Sequence, residues 1–321
     1  MSLLTDHDLD RLAETAPEQV MTSDGQLTPL DRLAYYWAAR EFFSGQGTIV
    51  DAGALVGGTT VIFGEGLLGN PRALAANPTI HVYDLFEDEI NGYSAQLLRG
   101  WYNEQQNDSN RYDFLRHFQR NTQRYERFLR VHKGDITRQP YDDARGIEVL
   151  SLDVAKTPDL MLYCAREFFP RLIPGKSVIL HQDYIFAFQP WQFIAMELMS
   201  DLIEKVYDVA NHCTAVFVPR RAITMADVEA RLGRSGAAYY HLGNAHCLYQ
   251  AIERARPGFG RCVHTAALAY FYLMMGQSRT AIQVALRMLD EYDPSPAVIE
   301  AAALGPFLQH DLGIDYKARW R

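Results

Sequence analysis

Thr48-Ile-Val-Asp51-Ala-Gly53-Ala-Leu-Val-Gly57-Gly58-Thr-Thr60 is the stretch that decides the fold. Three β-favouring residues run into an acid, then a glycine-punctuated turn, then two β-branched residues opening the apolar run Val61-Ile-Phe63. That order predicts a strand, a tight loop and a helix. In a parallel sheet such a loop sits at the carboxyl end of its strand, where nucleotide-like ligands bind. Gly53 permits a turn that a Cβ would obstruct, and Gly57 and Gly58 let backbone approach a ligand closely. A glycine-rich connection without a ligand would account for the same residues, and such loops are weak motifs by themselves.

Working outward, Thr28-Pro29-Leu30-Asp31 is a helix start, with Thr as cap, Pro at the first helical position and Asp at the third. A shorter helix is expected over Asp6–Thr15. Downstream, Thr79–Asp84, Phe128–His132, Gly146–Asp153 and Ser177–Tyr184 read as further strands. Acids recur at their carboxyl ends: Asp84, Asp135, Asp153 and Asp183. Buried parallel strands otherwise avoid charge, so these acids point to a shared edge with a function. Asp84 suits ribose hydroxyls, or it caps a turn. Asp135 meets a base, or it starts a turn. The polar segment 87–112 is too long for a plain connection and predicts a lid or substrate loop. Lys205–Ala210 and Thr214–Pro219, joined by Asn211-His-Cys213, predict an antiparallel hairpin, because so short a link cannot cross over.

Bulk properties bound the function. The 321 residues carry a net charge of −8, which argues against nucleic-acid or anionic-membrane binding. Arg120, Arg124, Arg127 and Arg130 read as a solvated helix face. Cys164, Cys213, Cys247 and Cys262 lack Cys-x-x-Cys spacing and read as reduced thiols of a cytoplasmic protein. The acidic start Met-Ser-Leu-Leu-Thr-Asp-His-Asp lacks a signal-peptide core, and no apolar run reaches membrane-spanning length.

With that order assembled, residues 46–221 resemble the class I S-adenosylmethionine-dependent methyltransferases, whose parallel sheet ends in such a hairpin. Within that class the chain looks most like the macrocin O-methyltransferase family. That family's Glu-Thr-Gly-x-x-x-Gly-Gly is matched by Asp51-Ala-Gly53-Ala-Leu-Val-Gly57-Gly58. Its Leu-Asp-Gly-Asp becomes Leu152-Asp153-Val-Ala155, its Leu-x-Pro-Gly-Gly becomes Leu172-Ile-Pro174-Gly175-Lys176, and its Asp-Asp-Tyr becomes Gln182-Asp183-Tyr184. The resemblance implies that Asp51, Gly53, Gly57 and Gly58 cradle the methionine part of S-adenosylmethionine, that Asp84 holds the ribose, and that Asp135 lies by the adenine. It also implies a divalent metal such as Mg²⁺ on Asp153, Gln182 and Asp183. Ala155 and Gln182 replace two of the family's acids, so the site has lost anionic groups. Lys156 is then a candidate to supply charge and His181 a candidate base, with Asp153 the third candidate catalytic residue. A solvent-exposed Lys and a core His explain the same two residues.

After Arg221 the pattern is helical only. Thr224-Met-Ala-Asp227 is a capping box, Tyr239–Arg256 reads as a helix, and Ala266–Met275 with Thr280–Tyr292 forms a tetratricopeptide-like hairpin without a second copy. Its expected role is structural: packing on the main domain, on a twin in a homo-oligomer, or on a partner. The expected organisation is therefore an N-terminal helical segment over 1–45, a doubly wound, Rossmann-like, mostly parallel α/β domain over 46–222 with a terminal antiparallel hairpin, and an all-helical domain over 223–321. The expected activity is O-methylation of a small polar acceptor, a sugar or natural-product glycoside. The alternatives are a catalytically inactive cofactor-binding scaffold on the same fold and, third, an NAD-dependent dehydrogenase, which the missing Gly-x-Gly-x-x-Gly disfavours.

Overall fold

The computed structural model describes residues 3–104, 110–210 and 212–320. The chain opens with α1 (Asp6–Thr15), α2 (Glu18–Thr22) and α3 (Pro29–Trp37), the last extended by a π turn over Ala38–Phe42. Then come β1 (Thr48–Ala52), α4 (Gly58–Leu68), α5 (Pro71–Ala75), β2 (Ile80–Asp84), β3 (Glu87–Glu89), α6 (Tyr93–Tyr102), β4 (Arg111–Asp113), α7 (Leu115–Thr122), β5 (Leu129–Lys133) and β6 (Ile147–Leu152). Beyond these lie α8 (Pro158–Phe168), β7 (Val178–His181), α9 (Pro190–Leu198), β8 (Ile203–Asp208) and β9 (Ala215–Pro219). The tail holds α10 (Met225–Leu232), α11 (Ala245–Arg254), α12 (Phe259–Met274), α13 (Ser278–Tyr292), α14 (Pro296–Ala301) and α15 (Leu304–Pro306).

The seven-stranded sheet has the order β5-β2-β1-β6-β7-β9-β8. β1 pairs in parallel with both β2 and β6, β2 with β5, and β8 with β9 antiparallel. The mixed α/β, mostly parallel expectation holds at this level, and so does the terminal hairpin. All residues of β1 and β6 are buried, as strands covered on both faces must be.

The chain divides into two compact units, one of residues 1–153 with 171–180, the other of 154–170 with 181–321. These limits differ from boundaries near 45 and 222. Residues 1–45 belong to the first unit because α3 packs on α4, with Tyr35 and Phe63 ring centroids 5.5 Å apart. Thr28 and Asp31 cap α3 reciprocally, as expected. Buried Glu148 on β6 ties the chain ahead of β1, accepting the N–H groups of Ser44 (3.1 Å), Gly45 (3.0 Å) and Gly47 (3.0 Å).

In the second unit α11 and α12 pack against α9, so the helical tail shares a core with residues 181–222. Tyr184, Phe193, Phe217 and buried His264 form part of that core. Arg254 pairs with Glu197 at 2.6 Å. The α12–α13 turn carries Gly276 at φ +73°. Ala267 and Phe271 are buried, whereas Met274 is 39% exposed.

Several elements depart from expectation. The fourth and fifth strands stop at Leu152 and His181, so Asp153 and Asp183 lie just beyond them. Asp183 has φ +56°, a left-handed turn rather than a strand end. The helix face expected of Arg120, Arg124, Arg127 and Arg130 is broken up: Arg120 lies on α7, Arg124 and Arg127 on a tighter 3-10 turn over Gln123–Phe128, and Arg130 on β5. The helix expected over Tyr239–Arg256 is confined to α11. The segment 87–112 folds in part into β3, α6 and β4, with β3 and β4 forming their own ribbon. Residues 105–109 of it, and Asn211 of the hairpin link, lie outside the described residues.

Candidate functional site

The glycine loop joins β1 to α4 as expected, with Gly53 at φ +98° and Gly57 at φ +91°. The room these glycines leave is filled by protein. A Cβ on Gly53 would lie 2.9 Å from the Asp153 carbonyl carbon, one on Gly57 2.6 Å from Thr122 Cγ2, and one on Gly58 2.3 Å from the Asp24 carbonyl oxygen. The close approach they permit is thus, on these faces, between segments of the chain itself. Asp51 is wholly buried, and its carboxylate accepts hydrogen bonds from Thr59 Oγ1 (2.7 Å) and Thr60 Oγ1 (2.6 Å). Desolvation pushes its pKa up. It locks the start of α4 to β1, and the ligand contact expected of it does not follow from this placement.

Asp84 ends β2 beside the loop. Its Oδ2 accepts the Leu55 N–H at 2.8 Å and its Oδ1 the Phe86 N–H at 2.7 Å. Leu55 and Phe86 both adopt left-handed backbone, φ +51° and +53°, so the carboxylate stabilises two unusual turns at once. Burial, opposed by these two N–H donors, raises the Asp84 pKa to about 6. Each oxygen retains a lone pair for a further donor. Asp135 is different: its side chain is 47% exposed, and it caps a short turn by accepting from Thr137 N (2.9 Å) and Oγ1 (2.8 Å). The hydroxyl bond of Thr137 is the leading cause that lowers its pKa.

A third group beside the loop carried no signal in the sequence. Asp24, Tyr102 and Asn121 come from the α2–α3 connection, α6 and α7. Tyr102 donates its hydroxyl to Asp24 Oδ2 at 2.7 Å. Asn121 Nδ2 reaches the loop carbonyl of Val56 at 3.0 Å, Tyr102 Oη at 3.1 Å and Asp24 Oδ2 at 3.3 Å. Residues so far apart in sequence share no local pattern.

In the second unit Lys156 Nζ donates to Asp183 Oδ2, with the two side chains 43% and 25% exposed. His181 is fully buried, its Nδ1 on the Gln182 carbonyl at 3.1 Å and its ring near Tyr184 and Phe217. Desolvation lowers its pKa to about 4, so it stays neutral at pH 7 within the core. That is the environment of a core histidine and not of a solvent-reachable base. Ala155, where the related family carries an acid, offers its carbonyl to Trp191 Nε1 (2.9 Å) and Gln192 Nε2 (3.2 Å).

The donor set expected for Mg²⁺ does not fit well. The Asp183 carboxylate is engaged by an ammonium group, Gln182 is neutral, and the Asp153 backbone backs Gly53. Among the described residues no group of three or more His, Cys, Asp and Glu is placed to hold a metal. Nor is any helix among them long and apolar enough to cross a membrane. No protein-family model matches the chain, and no curated protein matches it.

Proposed function

We propose that this chain is an S-adenosylmethionine-dependent O-methyltransferase acting on a hydroxyl of a small polar acceptor such as a sugar. The observation that carries this reading is Asp84. Its carboxylate stands at the carboxyl end of β2 against the β1–α4 loop, with acceptor capacity left on both oxygens. β1 has β2 on one side and β6 on the other, which is the switch point where open α/β sheets bind ligands. A cis pair of ribose hydroxyls suits such an acceptor. The antiparallel β8–β9 pair supports the methyltransferase class over a dehydrogenase.

S-adenosylmethionine supplies a sulfonium methyl carbon open to in-line attack. The protein's part is to orient the acceptor and remove its proton. No step is routed through a metal, and no base is assigned. His181 is left out because it is buried. A catalytically inactive cofactor-binding scaffold is the second reading. It is favoured by Ala155 at the position of the missing acid and by the Lys156–Asp183 pair, which occupies the remaining carboxylate. A product assay separates the two.

The test is calorimetric titration with S-adenosylhomocysteine. Binding is expected at about pH 7.5 and is expected to weaken as pH falls through about 6, because protonation of Asp84 removes the acceptor that the ribose needs. Asp84→Asn should cost roughly 1.5–3 kcal/mol of binding and flatten that pH dependence. Wild type that binds no S-adenosylhomocysteine at either pH would end this reading, and a preference for NAD would promote the dehydrogenase.

A further inference from the structure

We infer that Asp24, which lies outside the stretch resembling methyltransferases, is a specificity residue for the ammonium group of the cofactor's amino-acid end. The inference rests on the proposed cofactor. The segment around Asp24 is built onto the glycine loop. Its carbonyl oxygen lies so close that Gly58 cannot carry a Cβ, and a Cβ on Gly25 would in turn lie 3.5 Å from Gly58 Cα. Gln26 Nε2 donates to Tyr93 Oη at 2.5 Å, a second tie of the same segment to α6. The Asp24 side chain is therefore carried to the loop by backbone packing and not by chance rotation of a long chain.

The carboxylate itself is poised in an unusual way. Asp24 is exposed, and Tyr102 and Asn121 both address one oxygen, Oδ2. Asn121 also holds the Val56 carbonyl, so the same amide fixes the loop and the acid in one network. Arg32 feels the charge of Asp24, but its guanidinium is bonded to the Leu27 and Val20 carbonyls and to the Ser23 hydroxyl. A carboxylate whose Oδ2 is oriented by two neutral donors keeps Oδ1 as an acceptor for a further donor. Its complement is a compact cation with several hydrogen-bond donors, which an α-ammonium provides. An adenosine group without the amino-acid chain offers no such cation.

The experiment compares two ligands on wild type and Asp24→Asn. S-adenosylhomocysteine carries the ammonium; 5′-methylthioadenosine shares the nucleoside and sulfur but lacks it. The Asn side chain preserves the hydrogen-bond geometry towards Tyr102 and removes the charge. Asp24→Asn is expected to weaken S-adenosylhomocysteine about tenfold or more while leaving methylthioadenosine within about twofold. Equal weakening of both ligands would overturn the inference and reduce Asp24 to a structural tie of the loop. No change in either would overturn it as well. Wild type that binds neither ligand would sink the proposed function and this inference together, whereas wild-type binding with an indifferent Asp24→Asn sinks the inference alone. Thermal melting of the variant without ligand, expected to match wild type, checks that the fold is intact.

Discussion

Single residues set the geometry of the loop more than the motif suggests. Asp51, expected among the cofactor contacts, is the buried partner of two threonine hydroxyls. Glu148 plays a similar part at the other end of β1, where it accepts three backbone N–H groups and the Ser44 hydroxyl. Neutral, smaller side chains there would strand those donors without water, and each unsatisfied buried donor costs about 1–3 kcal/mol. Glu148→Ala is therefore expected to lower unfolding free energy by about 3 kcal/mol or more, read as a shift of the urea midpoint at constant slope. Glu148→Gln, which keeps one acceptor oxygen, should cost less. A loss below about 1 kcal/mol for the Ala variant would mean that solvent reaches those N–H groups.

At the scale of elements, the tail is part of the second unit rather than an appendage to it. α11 and α12 pack on α9, and His264 of α12 lies 4.5 Å from Phe193 of α9 by ring centroids. Phe188, Tyr270 and Phe307 make a further edge-to-face cluster linking the segment before α9 to α12 and the last turns. Ending the chain after Arg221 would uncover Tyr184, Phe193 and Phe188 together. Apolar patches beyond a few hundred Å² are uncommon on soluble monomers. The truncated chain is expected to aggregate or bind a hydrophobic dye strongly. A soluble, monomeric product with an unchanged melting temperature would contradict the shared core.

Across the whole molecule, buried titratable groups set the pH response. Desolvation lowers the pKa of His132 and His181 to about 4, of His264 to about 3, and pushes His81 and His117 down as well. Unfolded, these histidines take up protons near pH 6.5, while the folded ones resist. Between about pH 6.5 and 4 the unfolded chain binds more protons, so stability falls with falling pH. Asp51, Asp84 and Glu197 have raised pKa values and work the other way, losing stability as pH rises through their folded values. Five histidines against three acids leave net acid destabilisation. The melting temperature is expected to drop from about pH 6.5 to about pH 4.5, and His264→Phe, which removes a fully buried site among aromatic rings, should make that slope shallower. A melting temperature that is flat or rises over that window would mean the acids dominate.

The sequence alone determined β1, the turn after it, α4, α1 and the caps of α3, because strand propensity, glycine punctuation and capping boxes are local signals that act within a few residues. It also indicated acids near the carboxyl ends of the strands and the antiparallel β8–β9 hairpin. It did not determine what those acids face. Whether Asp51 is buried under two threonines, whether Asp183 meets Lys156, and whether His181 lies in the core depend on packing between segments distant in sequence. The same holds for the company kept by Gly58: its need for a hydrogen in place of a Cβ comes from a carbonyl more than thirty residues upstream. Only tertiary structure gathered Asp24, Tyr102 and Asn121 beside the loop, since hydrogen bonds between α-helices and connections follow from how their faces stack and leave no period in the chain.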